Sequence, residues 1–286
     1  MRQLASYVVF PALVFGPLLV AHAARMHGLP DLIILVGCIT ACLCVQRVLE
    51  RVMPYRREWN DRTRARDDIA CMALNAITKH GVDLVLGATV FVITAHLTSL
   101  YNLALWPTSW PLPVQLAAVI LLADLGHYIA HRAMHDVPWL WAFHRMHHSP
   151  NSLDSLNFFR MHPLDIVLKT VANSVPLIVL GVPDDVLLLW MVLSGVAAGA
   201  LNHANIVMRT GLFDGILSTP RLHRFHHSRR HPEQRCNVGN ITVIYDRLFG
   251  TYCCPRDHDV GEVGEPGGAR PLVSELLQPF TGAERR

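Results

Sequence analysis

Residues 114–135 read VQLAAVILLADLGHYIAHRAMH, and the fold turns on this stretch. It is apolar over almost the length of about 20 residues that a helix needs to cross a bilayer. Towards its end stand His127 and His131, four residues apart. On a helix that spacing stacks two imidazoles one turn apart on one face. Ionisable side chains at such a place are costly to bury without partners, so they mark function before structure.

Further apolar runs occupy residues 7–24, 31–47, 82–100, 164–180 and 184–208, the fourth interrupted by Pro176. The first has only Met1 and Arg2 ahead of it, and His22-Ala23-Ala24-Arg25 is a poor cleavage site, so it reads as a retained span rather than a leader. Composition agrees with a membrane chain. Of 286 residues 51% are hydrophobic and 16% charged, against about 25% charged in an average soluble domain. Mean hydropathy is +0.29. A net charge of +3 gives no footprint for nucleic acid. Seven cysteines cannot all pair within the chain; Cys38, Cys42 and Cys44 sit in an apolar run, and Cys253 and Cys254 lack a second ligand pair at zinc spacing.

Loop charges orient the spans. Arg47, Arg51, Arg56, Arg57, Arg62, Arg64, Arg66 and Lys79 lie between the second and third runs. Residues 101–113 carry no charge and instead hold Tyr101, Trp106 and Trp110. Positive loops stay cytoplasmic, so residues 114–135 emerge on the cytoplasmic side with their histidines. The chain beyond Met208, with eleven more arginines, is expected there too. Residues 62–79 read as an interfacial amphipathic helix or as a plain connecting loop.

Twelve of the 17 histidines fall between His127 and His231. His144, His147 and His148 form H-x-x-H-H, and His223, His226 and His227 repeat it. Spacings of i, i+3 and i+4 bring three imidazoles to one helical side. With His127 and His131 this makes eight grouped rings, and His203 follows at the end of the last run. Eight clustered imidazoles repel if charged, and each needs a donor and an acceptor if neutral. Metal coordination removes the conflict. Eight or nine nitrogens exceed one tetrahedral site, so two metals fit better, and imidazole alone leaves Zn, Cu, Fe and Ni open. His135, His162 and His231 are open as direct ligands. His22, His27, His80, His96 and His258 read as ordinary bonded histidines. No H-E-x-x-H, glycine-rich phosphate loop or recognisable nucleophile motif accompanies them.

The linking text carries a resemblance. His131-Arg-x-x-His135, Pro138-Trp-Leu-Trp141, Phe143-His-x-x-His-His-Ser149, His162-Pro-Leu-Asp165, Asn202-His203-Ala-Asn205 and Asp246-Arg-Leu-Phe-Gly-Thr251 resemble the fatty acid hydroxylase / sterol desaturase superfamily over about residues 67–252. The resemblance implies an all-α, multi-pass transmembrane helical bundle with a cytoplasmic histidine-rich helical cap holding a di-metal site. It implies two irons, O₂ as co-substrate and electrons from an external reductase or carrier protein. It also implies hydroxylation or desaturation of an unactivated C–H bond in a lipid that enters from the bilayer. The ligands it implies are His127, His131, His144, His147, His148, His203, His223, His226 and His227, with His162 as a further metal candidate. Asp124 and Asp165 are placed to accept from ligand imidazoles, with an Asp124–Arg132 pair as the alternative. Asn202 and Asn205 reach the metals through water or bond between helices. The chain departs from the pattern at Gly199, where some members carry another histidine, and at Asp165, where many carry Glu.

Three regions are expected: an N-terminal hairpin with its basic loop (1–66), the catalytic membrane domain (67–252) and a polar, flexible tail (253–286). A histidine-rich membrane metal transporter or metal-binding sensor without oxygenase activity, and a haem held between His96 and His203, are the competing readings.

Overall fold

The computed structural model describes residues 2–60, 63–101 and 105–281. Arg62 and the last five residues of the expected tail lie outside them. Among the described residues there are helices and three isolated bridges but no strand. Six helices are long and apolar enough to cross a membrane. They are α1 (Arg2–Met26), α2 (Asp31–Val52), α3 (Ala65–Tyr101), α4 (Leu112–Asp136), α6 (Pro163–Leu180) and a composite that starts with α7 (Asp184–Leu193). The short α5 (Pro138–His148) joins α4 to the chain leading into α6.

The composite helix is the centre. Three-quarters of its apolar window is buried, against a third or less in the other five. Val186, Leu188, Leu189, Val192 and Leu193 pack inward, with α1, α2 and α4 around them. α3 and α6 lie together on the far side of α4. Leu4, Val8, Leu19 and Val20 of α1 and Leu32, Ile33 and Val36 of α2 face outward. Such apolar surface on helices of span length is what lipid tails cover.

Three differences from the sequence reading have physical causes. The expected helix or loop over 62–79 and the span over 82–100 are one helix, α3; its 37 residues give about 55 Å at 1.5 Å each, longer than a bilayer core. Pro176 does not interrupt α6, which runs through it; kinking prolines are tolerated where neighbouring helices satisfy the freed backbone. The last span stops at His203 rather than Met208. After Leu193 the chain continues as a π-helical stretch that kinks at Gly199, then as the single turn α8 (Leu201–His203), and turns extended at Ala204.

The segment read as a polar, flexible tail carries buried residues as far as Glu275. Val260 and Val263 are buried with Trp59, Leu153 and Phe225. Four further short helices complete the cap: α9 (Pro220–His226), α10 (His231–Gln234), α11 (Ile244–Phe249) and α12 (Leu272–Leu277). Two valines and a six-residue helix are too sparse a pattern to show as core in sequence.

Gly126 sets the approach of α4 to α6. A Cβ there would lie 2.0 Å from the carbonyl oxygen of Ala172. Gly126→Ala is therefore expected to force the helices apart and cost about 1–3 kcal/mol, the range for overpacking, read as a lower melting temperature in detergent.

Candidate metal centre

Local sequence signals aim the histidines. Val137 precedes a proline and is held extended (φ −102°, ψ 114°), which ends α4 and starts α5 in a new direction. The end of α4 thus faces α5. On the other side Thr219 caps α9, its side chain accepting from the Leu222 amide, with Pro220 in the first turn. His227 ends that helix.

Nine buried imidazoles gather in two adjoining groups. His131, His135, His144, His148 and His226 offer ring nitrogens that all lie within 4.8 Å of one another; His147, His203, His223 and His227 do the same. His148 and His227 stack across the boundary, centroids 4.2 Å apart.

Ring nitrogens face each other. Nε2 of His131 is 3.0 Å from Nε2 of His144 and 3.2 Å from that of His226. In the second group Nε2 of His203 is 3.2 Å from Nε2 of His147, and those of His223 and His227 are 3.1 Å apart. Two nitrogens on one ion at 2.0–2.1 Å stand about 3.0–3.4 Å apart, so these pairs have the spacing of shared ligands. The outward nitrogens meet acceptors. Nδ1 of His131 donates to Val238 O (2.8 Å), that of His226 to Cys236 O (2.8 Å), that of His144 to Asp165 (2.6 Å) and that of His203 to Asn157 Oδ1 (3.0 Å). These bonds fix the tautomer that leaves each Nε2 lone pair pointing inward. His148, fully buried, has no hydrogen-bond partner on either nitrogen, and Nε2 of His135 has none. The donor set therefore fits metal ions.

Protonation agrees. Burial holds His144, His147, His148, His223, His226 and His227 below the ordinary histidine range, His226 at about 3. Neutral imidazole is the form that binds metal.

Eight of the nine rings expected from sequence are in the groups. The ninth, His127, lies outside both groups, edge-on to His131 at 5.2 Å, while His135 lies within the first. His127 is one turn further from the end of α4, about 6 Å along the axis, and the groups centre on the final turns. His162 also lies outside them. It caps α6, its Nδ1 accepting from the Leu164 amide, and its Nε2 meets Leu276 O. His231 is exposed.

Asp124 touches no imidazole and does not pair with Arg132, which reaches Asp136 and Tyr128. It accepts the amides of Ile241 and Thr242. Asp246 accepts those of Val238 and Gly239. The two carboxylates pin the loop whose carbonyls hold His131 and His226. Burial raises the Asp246 carboxyl, opposed by the bonds from Thr251, Gly239 and Val238. Asn202 bonds Ser218, and Asn205 bonds Arg56 and Asn60, so both tie segments together. Gly199 stands against the Phe158 ring, where a Cβ would come within 2.9 Å. A side chain there would displace Phe158, which packs on His203.

Residues the sequence reading missed are Asn157, Glu50 and the carbonyls of Cys236 and Val238. A carbonyl carries no residue identity, so nothing in the sequence marks it. Glu50, buried on α2, accepts the amides of Ser155 and Asn205 and looks in sequence like one more charge in a basic loop.

Asp165 gives a direct test. It accepts from His144 and forms an ion pair with Lys169 (2.9 Å). Asp165→Asn keeps the shape and loses the charge. Metal retention against a competing chelator is expected to weaken about 10–100-fold, the usual cost of losing an outer partner.

Comparison with known proteins matches these features. Residues 116–251 match the family model described as fatty acid hydroxylase. The ornithine lipid hydroxylase OlsE of Rhizobium tropici is 37% identical over 246 residues, covering 84% of this chain and 73% of that protein. Human alkylglycerol monooxygenase is 28% identical over 160 residues, 56% of this chain and 35% of the other. A putative Delta(7)-sterol-C5(6)-desaturase of Arabidopsis thaliana is 24% identical, covering 49% of this chain and 48% of that protein. No solved structure matches. With its six spans and its paired histidine groups, the chain belongs to the fatty acid hydroxylase family, within the superfamily that includes the sterol desaturases.

Proposed function

We propose that the chain is a membrane-bound di-iron oxygenase that hydroxylates, or desaturates, an unactivated C–H bond of a lipid. The observation that carries this is the pair of adjoining groups of neutral, buried imidazoles, five and four. In this reading His131, His135, His144, His148 and His226 hold one iron, and His147, His203, His223 and His227 the other. Bound there, the irons supply O₂ activation with electrons from a separate reductase or carrier. The protein supplies the rest. Carbonyls and Asp165 orient the rings, and apolar helices keep water from the site. The 37% identity to a protein named for ornithine lipid supports a polar membrane lipid as the substrate class. A transporter reading has no comparable support, because the rings are locked by bonds to Val238, Cys236, Asp165 and Asn157.

The test is lipid mass spectrometry of cells with and without the gene, with iron analysis of the purified chain. A lipid gaining one oxygen or losing two hydrogens, with about two irons per chain, is expected. An unchanged lipid profile, or a preparation that stays active after its iron is removed, would sink the reading.

We place the site on the cytoplasmic face. The arginine-rich segment after α2 bonds directly to the chain after His203: Val207 N donates to Met53 O and Arg56 N to Asn205 Oδ1. The histidines therefore share a membrane side with that segment, and positive segments stay inside. A cysteine introduced as Glu58→Cys is expected to react with an impermeant thiol reagent in inside-out vesicles and to be protected in right-side-out ones.

A further inference from the structure

Where α1 begins and α2 ends, the surface holds a basin of about 520 Å³. Three arginines from separate segments line it: Arg51 in the last turn of α2, Arg57 beyond it, and Arg209 six residues after His203. Ser6 and Asn60 add polar groups, and Val52 and Val207 an apolar wall. Among the described residues no Asp or Glu lines the basin, and no carboxylate pairs with these three arginines; Arg209 instead donates to the Tyr7 hydroxyl at 2.8 Å.

Positive charge beside span ends is common and by itself only orients a membrane protein. Here the charge is gathered into one concavity and, among the described residues, left without counter-charge. Two arginines elsewhere are neutralised, Arg47 by Glu50 and Arg132 by Asp136, and Arg56 spends its donors on the carbonyls of Val260 and Gly261. Three guanidiniums around one basin repel unless an anion lies among them, and their planar forks match phosphate and carboxylate oxygens. The site chooses the source of that anion. Gln3 is in the first turn of α1 and Val52 is the last residue of α2, so the basin opens where the apolar spans stop, at the depth of lipid headgroups. The side of α1 that carries Gln3 and Ser6 continues through Phe10, Val14 and Leu18. These line a second cavity of about 170 Å³ that is almost wholly apolar. One helix face thus offers an anion site and then an alkyl site, in the order a lipid presents them.

We propose that the basin binds the anionic headgroup of a membrane lipid, with the lipid's chain lying along α1. No histidine takes part, so the inference stands apart from the oxidation chemistry.

The test titrates the detergent-solubilised full chain with dihexanoyl phosphatidylglycerol, with dihexanoyl phosphatidylcholine and with inorganic phosphate. Saturable binding of the anionic lipid is expected. R51Q/R57Q is expected to weaken it about tenfold or more, while R51K/R57K stays within a few-fold, as for loss or retention of charge at an anion site. Both arginines are exposed, so the melting temperature is expected to stay unchanged; R57Q alone gives the same direction with the smaller perturbation. Equal binding of phosphatidylcholine, equally tight binding of free phosphate, or undiminished affinity in R51Q/R57Q and R57Q would each overturn the proposal.

Discussion

His147→Ala and His226→Ala are each expected to abolish oxidised-lipid formation while the protein still inserts in the membrane. The loss should exceed the about 10–100-fold that follows removal of an outer partner, because these rings are proposed as direct ligands. The two variants are not equivalent. His147 belongs to the group of four, so its removal leaves three imidazoles there; His226 belongs to the group of five, and its removal leaves four. His147→Ala should therefore shed one metal more readily, towards about one iron per chain, at a chelator concentration that His226→Ala withstands. His226→Ala also frees the carbonyl of Cys236 and removes the Nε2 facing His131. Membrane fractions assayed for iron and for O₂-dependent product separate the two effects. Near-normal turnover in either variant would count heavily against the ligand assignment.

How far the site could be read from sequence follows from the kind of interaction involved. The two H-x-x-H-H boxes were legible because helical spacing alone brings i, i+3 and i+4 together. The box on α4 was only half legible. His127, His131 and His135 form two overlapping i, i+4 ladders, and spacing does not choose between them. The choice depends on where α4 stops, and that is set by Pro138 and by α5 folding back on the last turns. Asp165 was named as a partner for ligand imidazoles, but its partner His144 lies 21 residues earlier, and spacing does not reveal that pair. Asp124 was misread, because its partners are backbone amides of a loop more than a hundred residues away. The spans were visible by length and composition, but their continuity was not. Pro176 suggested a break that packing overrides, and the mixed residues 62–79 hid the start of α3.

Arg160 was invisible in sequence and is expected to give the largest change in stability. It is fully buried, at 0% exposure, between α5 and α6. Its Nε donates to Glu275 and its Nη1 to Asp68, each at 2.8 Å, and its Nη2 donates to Arg270 O. One guanidinium thus joins α3 to α12. Glu275 in turn accepts from Ser149, the residue that follows His148. Burying this group of charges is costly in itself, so the pairs do not make the fold stable by their presence. Removing one partner is a different matter, because it leaves the buried Asp68 and Glu275, and Asp67 beside them, without their cation. Arg160→Leu is therefore expected to cost about 3–5 kcal/mol, read as a large drop in melting temperature in detergent. Adding Asp68→Asn and Glu275→Gln to that variant should restore part of the loss, since the uncompensated charges go with it. Arg160→Lys should fall between, as an ammonium cannot make the three divergent contacts of a planar fork. If Arg160→Leu melts like the parent, the buried charges are compensated by some other group, and the attachment of α12 to α3 owes nothing to them.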